Sequence, residues 1–431
     1  MRWGCIQPLT GGMYIGAAQA LNEDADWIIS YPGTDDVKYD KNGNIVTAGN
    51  EYNLLKWLEK NNKNVPYFHF NHKMFEQPSI DSVEINPVNI HAEIISNYGI
   101  FTNVDLIVAV PVCAGLSNVT RAADETKDER NCNMIWIANY VLNICKPKVY
   151  IFENAPALVS NKGESVRNQL ENIAIKAGYS VLYYKTDTKL HNNPQKRPRT
   201  FVCFFKHTVD GIINQLPPEL GFENIQVDAA EYIDNIPENA TQQIPFAMSN
   251  LNSMLLNFIK SREGENWRNN IHNDLIKYII NNKLYDEFCN YIIDNTDYDD
   301  VEKRKSIKFI RHVEFKKSQG LNFYSTTMCM YDKNTPSVQF KTIQTMLHHR
   351  EDRLITVREA LHLMGLPHDF ELYGDINANG PKIGQNVPVN TARFIVSEAA
   401  KVIENWDNIH RETGKSNTLL VDNTKQQIMN I

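Results

Sequence analysis

Several short stretches of the chain carry side chains able to do chemistry. The first is Thr10-Gly11-Gly12-Met13-Tyr14-Ile15-Gly16. Glycines between a strand and a helix let backbone approach a ligand, and the helix start offers N–H groups. A tight turn with no ligand needs the same residues. The second, Pro111-Val112-Cys113-Ala114-Gly115-Leu116-Ser117, puts a cysteine just past an apolar run. Parallel sheets bind ligands at that end of a strand, and a thiolate there is a nucleophile. A small buried apolar residue is the plainer alternative for Cys113. Third, Phe152-Glu153-Asn154 closes the next apolar run with a carboxylate, costly to bury unless solvated, paired or used. Fourth, Pro194-Gln195-Lys196-Arg197-Pro198-Arg199 sets two arginines at alternate positions of extended chain. They project to one side and suit a shared anionic or carbonyl partner; a basic surface turn has the same composition.

The elements that must position these residues alternate short apolar runs with helical patterns. That is the signature of βαβ units and an α/β fold with a mostly parallel sheet. The expected strands are Trp3–Gln7, Trp27–Tyr31, Pro66–Phe70, Val104–Val110, Val149–Phe152, Ser180–Tyr184 and Phe201–Phe205. Helical spacing falls at Ile15–Leu21, Glu51–Lys60, Met134–Ile144 and Val166–Ala177, and Asp36–Thr47 with Asn42-Gly43 at its centre reads as an inserted hairpin. The first unit therefore spans residues 1–206. A middle unit, 207–340, is richer in helix, with Asp274–Ile280 and Leu284–Ile293 among its segments. Residues 341–408 return to the first unit with helical patterns at Val357–Leu363 and Ala392–Glu404, and the polar tail 409–431 reads as frayed.

Charge bounds the function. There are 44 Lys+Arg against 51 Asp+Glu, a net −7, which argues against a protein that simply coats nucleic acid. From His207 to Glu314 there are 18 acidic and 10 basic residues, a local −8. Yet Lys303, Arg304, Lys305, Lys308 and Arg311 crowd together, and Arg304, Lys308 and Arg311 would share one helical face. That face is either a phosphate contact or merely solvated. Seven scattered cysteines without a CxxC pair fit reduced thiols in a cytosol and no metal site. No apolar run reaches the ~18–20 residues of a membrane span, and no cleavable leader is read in the first residues.

In order and spacing these pieces resemble the cytosine-5 DNA methyltransferase family. The glycine turn, the Pro-x-Cys loop, Glu153-Asn154 and Gln195-x-Arg197-x-Arg199 are joined by two late stretches. Arg353-Leu354-Ile355-Thr356-Val357-Arg358-Glu359-Ala360, with Met364-Gly365-Leu366-Pro367, looks like the family's arginine-threonine-arginine-glutamate-alanine signature. Gly384-Gln385-Asn386-Val387-Pro388 is similar to its Gly-Asn-x-Val-Pro motif. The resemblance covers residues 3–206 and 320–405. It implies a Rossmann-like catalytic domain with a smaller helix-rich target-recognition domain, a stand-alone DNA (cytosine-5)-methyltransferase that acts on double-stranded DNA, and S-adenosylmethionine as donor.

Matched residue by residue, the resemblance implies Cys113 as the nucleophile, Glu153 as the acid and Arg197 with Arg199 as carbonyl holders. Thr10, Gly11, Gly12, Pro111, Gln385 and Asn386 match the cofactor contacts. Ser117, Thr120 and Arg121, on the polar stretch Asn118–Asn133 that would close over a flipped base, match nucleic-acid contacts, as does Gln195; Arg304 and Lys308 are added as phosphate contacts. A monomer is expected. The chain departs from the family at Val112 and Ala114, where proline and glutamine are usual, and at Gln7 and Leu9, where an aromatic and a glycine are usual. Gln385 replaces an asparagine. No acid follows the second strand in Ser30-Tyr31-Pro32-Gly33, and Glu51, after the hairpin, stands as its replacement. The alternatives are RNA methylation, as in a tRNA-methylating branch, and a binding homologue without activity.

Overall fold

A computed structural model describes residues 1–31, 33–70, 101–111, 116, 131–206, 216–271, 275–321, 328–329, 345–406 and 418–430. The strands run in chain order as β1 (Trp3–Ile6), β2 (Trp27–Ser30), the hairpin β3 (Val37–Tyr39) and β4 (Ile45–Ala48), β5 (Tyr67–His69), β6 (Leu106–Ala109), β7 (Val149–Asn154), β8 (Tyr179–Asp187) and β9 (Pro198–Lys206). All seven expected strands form, within a few residues of the expected ends. Alternation explains them. In β7, Val149 and Ile151 enter one core while Tyr150 and Phe152 enter the other, and Phe201/Cys203/Phe205 against Val202/Phe204 do the same in β9. The hairpin turns at Gly43, whose φ is 83°, with the Asp40 carboxylate accepting from the Asn42 and Asn44 backbone N–H groups.

Two further strands complete one sheet, β12 (Thr418–Asp422) and β13 (Gln427–Asn430); the two-stranded pairing of β10 (Met328–Cys329) with β11 (Met346–Leu347) is separate. The sheet order is β13-β12-β8-β9-β7-β6-β1-β2-β5. β9 runs antiparallel to β7 and β8 on either side of it, and β13 antiparallel to β12; the other pairings are parallel. Residues 418–430 are thus not a frayed tail. Leu419 and Val421 carry an apolar face into the core, and Asp422 pairs with Lys185 at 3.0 Å. Polar composition hid a strand whose alternate residues are apolar.

Helices α1 (Gly12–Leu21), α2 (Tyr52–Lys60), α3 (Cys132–Tyr140) and α4 (Glu164–Ala177) link the strands. The middle of the chain folds as α5 (Ala229–Asp234), α6 (Asn250–Glu263), α7 (Leu275–Asn281), α8 (Tyr285–Asp294) and α9 (Asp300–Ser318), with a single turn at Trp267–Asn270. The return is α10 (Val357–Leu363), α11 (Ile376–Gln385) and α12 (Val389–Glu404). α12 lies on α1 so closely that a Cβ added to Gly16 would meet the Ala392 methyl at 2.6 Å. Glycine at position 16 is therefore a packing requirement. Among the described residues, no helix is long and apolar enough to cross a membrane.

Candidate active site

The C-terminal ends of the parallel strands β2, β1, β6 and β7 lie along one edge of the sheet. Because β9 runs the other way, its first residues reach that same edge. Topology alone therefore brings Thr10–Gly12, Ser30, Pro111, Glu153 and Arg199 into one row.

At the turn after β1 the chain is wound left-handed at Gln7, Leu9 and Gly11, with φ of 51°, 53° and 103°. Leu9 thus keeps the backbone conformation that glycine adopts without strain. The helix start is not open. The Gly12 N–H donates to Asn386 Oδ1 at 2.8 Å, and the Thr10 hydroxyl donates to the Lys382 carbonyl at 3.0 Å. A Cβ on Gly12 would stand 1.8 Å from the Val387 carbonyl oxygen, and one on Gly11 would meet Leu54 at 2.9 Å. Gln385 accepts from Asn50 Nδ2 at 2.8 Å. Four of the six residues expected to touch a cofactor, Thr10, Gly12, Gln385 and Asn386, are accordingly clamped into one joint between the glycine turn, the start of α2 and the end of α11. Pro111 is buried just beyond β6.

The acid missing after β2 is supplied from elsewhere. Glu51, fully buried one residue before α2, accepts from the hydroxyls of Ser30, Thr34 and Tyr67 at 2.5, 2.8 and 2.7 Å. The inserted hairpin lets residue 51 return to the end of β2, as its place after the hairpin in the sequence suggests. Burial pushes the Glu51 carboxyl up to about 7, with Asp35 adding to the rise and the three hydroxyls opposing it. Asn386 Nδ2 and Gln7 Oε1 are buried with no hydrogen-bond partner among the described residues. A carboxylate, an amide donor and an amide acceptor at one sheet edge fit a polar ligand bearing hydroxyl and amino groups.

Two strands along, Glu153 ends β7 almost fully buried and pairs with the Arg199 guanidinium at 2.5 Å. Register explains the pair: Glu153 lies opposite Phe201 and Arg199 is two residues further out on the same face. Asn154 is buried; its Oδ1 accepts from the Ala155 N–H, and its Nδ2 has no partner among the described residues. Arg197 does not join Arg199. It is buried, donating to the Gly384 carbonyl at 2.5 Å, because the chain enters β9 only at Pro198 and extended alternation does not yet hold. Gln195 is fully buried as well; its Nε2 donates to the Leu363 carbonyl at 2.7 Å and braces α10.

Cys113, Ser117, Thr120 and Arg121 lie outside the described residues. The late signature has structural work. Thr356 and Glu359 form a reciprocal cap on α10, Arg353 grips Glu359 with two bonds of 2.8 and 2.9 Å, and buried Arg358 donates to the Thr241 and Phe370 carbonyls. In the middle region Arg304 and Lys308 are exposed on α9. Arg311 is engaged instead, with Asp286 at 2.6 Å and Glu314 at 2.8 Å.

A family model described as C-5 cytosine-specific DNA methylase matches residues 47–401. The "Putative type II methyltransferase M.MJ0563P" of Methanocaldococcus jannaschii is 22% identical over 331 residues, 75% of this chain and 84% of that protein. DNA (cytosine-5)-methyltransferase 3 of Arabidopsis thaliana is 22% identical over 338 residues, 66% of this chain and 22% of that one. Among solved structures, a "putative DNA modification methyltransferase encoded within prophage" from E. coli has a TM-score of 0.50 at 16% identity, covering 94% of this chain and 99% of its own.

Proposed function

This chain belongs to the C-5 cytosine-specific DNA methylase family, and we propose that it methylates carbon 5 of cytosine in double-stranded DNA, with S-adenosylmethionine as donor. The pairing of buried Glu153 with half-buried Arg199 carries the reading. It sits at the end of β7, beside the strand that runs into the Cys113 loop. Carbon 5 of cytosine is a poor nucleophile until a thiolate adds to carbon 6, and Cys113 is the residue for that addition. Glu153 holds a proton at ring nitrogen 3 while charge builds on the ring. Arg199 fixes the Glu153 carboxyl and holds the ring carbonyl with charge-assisted hydrogen bonds. Loss of the carbon-5 proton and departure of the Cys113 sulfur then restore the enzyme. Asn154, with a buried amide donor facing out of β7, suits bracing of the cysteine loop.

Bound S-adenosylmethionine would supply an electrophilic methyl group. Of the six residues matched to its contacts, Thr10, Gly12 and Gln385 form the joint behind the site, and Gly11, Pro111 and Asn386 through its Nδ2 are the ones to hold it, with Glu51 in place of the absent acid after β2. A base inside a duplex is out of reach, so the target is flipped out. Ser117, Thr120 and Arg121 are assigned to its backbone, and Arg304 and Lys308 to phosphates nearby.

The type II relative favours DNA. The net acidity of the middle region, −8 from His207 to Glu314, is unusual for a DNA binder and keeps tRNA as a second reading. Methyl transfer from labelled S-adenosylmethionine to mixed-sequence duplex DNA and to bulk tRNA, followed by nucleoside mass spectrometry, decides between them. We expect 5-methylcytosine in DNA. Label confined to tRNA would replace the proposal with the second reading, and label in neither would overturn both.

A further inference from the structure

The C-terminal hairpin lies outside every stretch that resembles the family, yet it reaches the catalytic edge of the sheet. β12 pairs parallel with β8, so Asp422 ends beside Lys185. The next residue, Asn423, is buried in the turn and bonded on three sides. Its backbone N–H donates to the Lys185 carbonyl at 2.8 Å. Its Oδ1 accepts from the Glu223 N–H at 3.1 Å, and its Nδ2 donates to the Thr186 hydroxyl at 3.0 Å.

Thr186 is the residue directly opposite Arg199 in the β8–β9 ladder. Both lie on the sheet face that carries Glu153, because Tyr184, Phe201 and Ile151, two residues from each in turn, enter the same core. Thr186 has no exposed surface. Its oxygen accepts from Asn423, and the same hydroxyl shares a hydrogen bond with His191 Nε2 at 2.5 Å. The hydroxyl is therefore fixed from both sides. Directly opposing side chains on one face set each other's positions, so the Arg199 stem stands against a neighbour that cannot rotate away. The following turn is tied in as well: the Asp187 carboxylate accepts from the Arg197 N–H at 3.0 Å, and the Thr188 N–H donates to the Arg197 carbonyl at 3.1 Å.

We propose that Asn423 is a positioning residue for the Glu153–Arg199 pair, acting through the Thr186 hydroxyl. The inference rests on the proposed reaction for its consequence and on the hydrogen-bond chain for its geometry, and the two are tested separately. Hydrogen exchange of the full chain is compared for wild type, Asn423→Ala, Thr186→Val and Thr186→Ser. In Asn423→Ala and Thr186→Val, amides across residues 186–199 should exchange about tenfold faster, with α1, α4 and α12 unchanged. Thr186→Ser keeps the hydroxyl and should match wild type. Uniform acceleration throughout the chain, or none across 186–199, would overturn the proposal whatever the enzyme methylates.

Methyl transfer is then measured per molecule competent to bind S-adenosylhomocysteine. The two variants should lose about tenfold in kcat with KM for DNA within twofold, since misplaced catalytic groups cost rate rather than binding. Combined, they should lose no more than either alone. Unchanged kcat beside an active wild type would also overturn the inference. A wild type inactive on every acceptor would instead remove the reaction, leaving the exchange result to decide the positioning.

Discussion

Arg197 and Arg199 stand two residues apart and have different partners. Arg199 meets a carboxylate at the end of β7, and Arg197 meets a backbone carbonyl in α11. Arg199→Ala should therefore lower kcat about 100-fold, the scale of losing one preorganised charge-stabilising donor. Arg197→Ala should act elsewhere: it frees the Gly384 carbonyl beside Gln385, so KM for S-adenosylmethionine should rise more than kcat falls. Steady-state kinetics of both variants check the contrast. Glu51 gives a pH prediction. Its folded carboxyl titrates near 7 against an ordinary 4.5, so between those values the folded chain binds the extra proton. Stability from this group is present at low pH and is lost as pH rises towards 7, on the order of 3 kcal/mol in all. Thermal melts should show wild type losing Tm over that window relative to Glu51→Gln.

At the scale of elements, what sequence could reveal was set by regularity. The seven strands expected in the first unit alternate apolar residues with period two or run apolar throughout, and Asn42-Gly43 marks the hairpin turn, where Gly43 takes a positive φ. α10 also announces itself, since Thr356 and Glu359 stand at capping-box spacing. α11 was invisible because Gly380, Pro381 and Gly384 are helix breakers by intrinsic preference; bonds from Lys382 to the Ala48 carbonyl and from Asn379 to the Val46 carbonyl of β4 hold it in place. β12 was masked by its polar neighbours. For the candidate site, Glu153 and Arg199 were legible because topology puts strand ends on one edge. Gln195 and Arg197 were not, because nothing in a basic, polar turn tells which side chains fold inward. Gly12 reads as a ligand-facing glycine and is also a packing residue. Gly12→Ala forces a methyl against the Val387 carbonyl, and the joint between α1 and α11 must open. Calorimetric unfolding should record a loss of at least ~2 kcal/mol.

Across the whole molecule, the middle helices are tied to the segment that carries the late signature. Lys260 and Arg268 both pair with Asp352, at 2.5 and 2.6 Å, and Arg268 also donates to the His348 carbonyl. Within that helical region Arg311 of α9 pairs with Asp286 of α8, and Arg304 and Lys308 of α9 are turned to solvent. If those two residues meet phosphates, neutralising both as Arg304→Gln and Lys308→Gln should flatten the salt dependence of DNA binding. The slope of log K against log salt should fall by about 2, with equal effect on unrelated sequences. An unchanged slope would return that face to solvent.

The proposed reaction needs the Cys113 thiolate together with the Glu153–Arg199 pair. Its most direct measurement is single-turnover methyl transfer to duplex DNA by wild type and by Cys113→Ala, with S-adenosylhomocysteine binding measured on both. Exchanging a thiol for a hydrogen is a small change, so the variant should bind the cofactor product as wild type does and form no 5-methylcytosine above background. Methylation by Cys113→Ala at a measurable fraction of the wild-type rate would contradict the account.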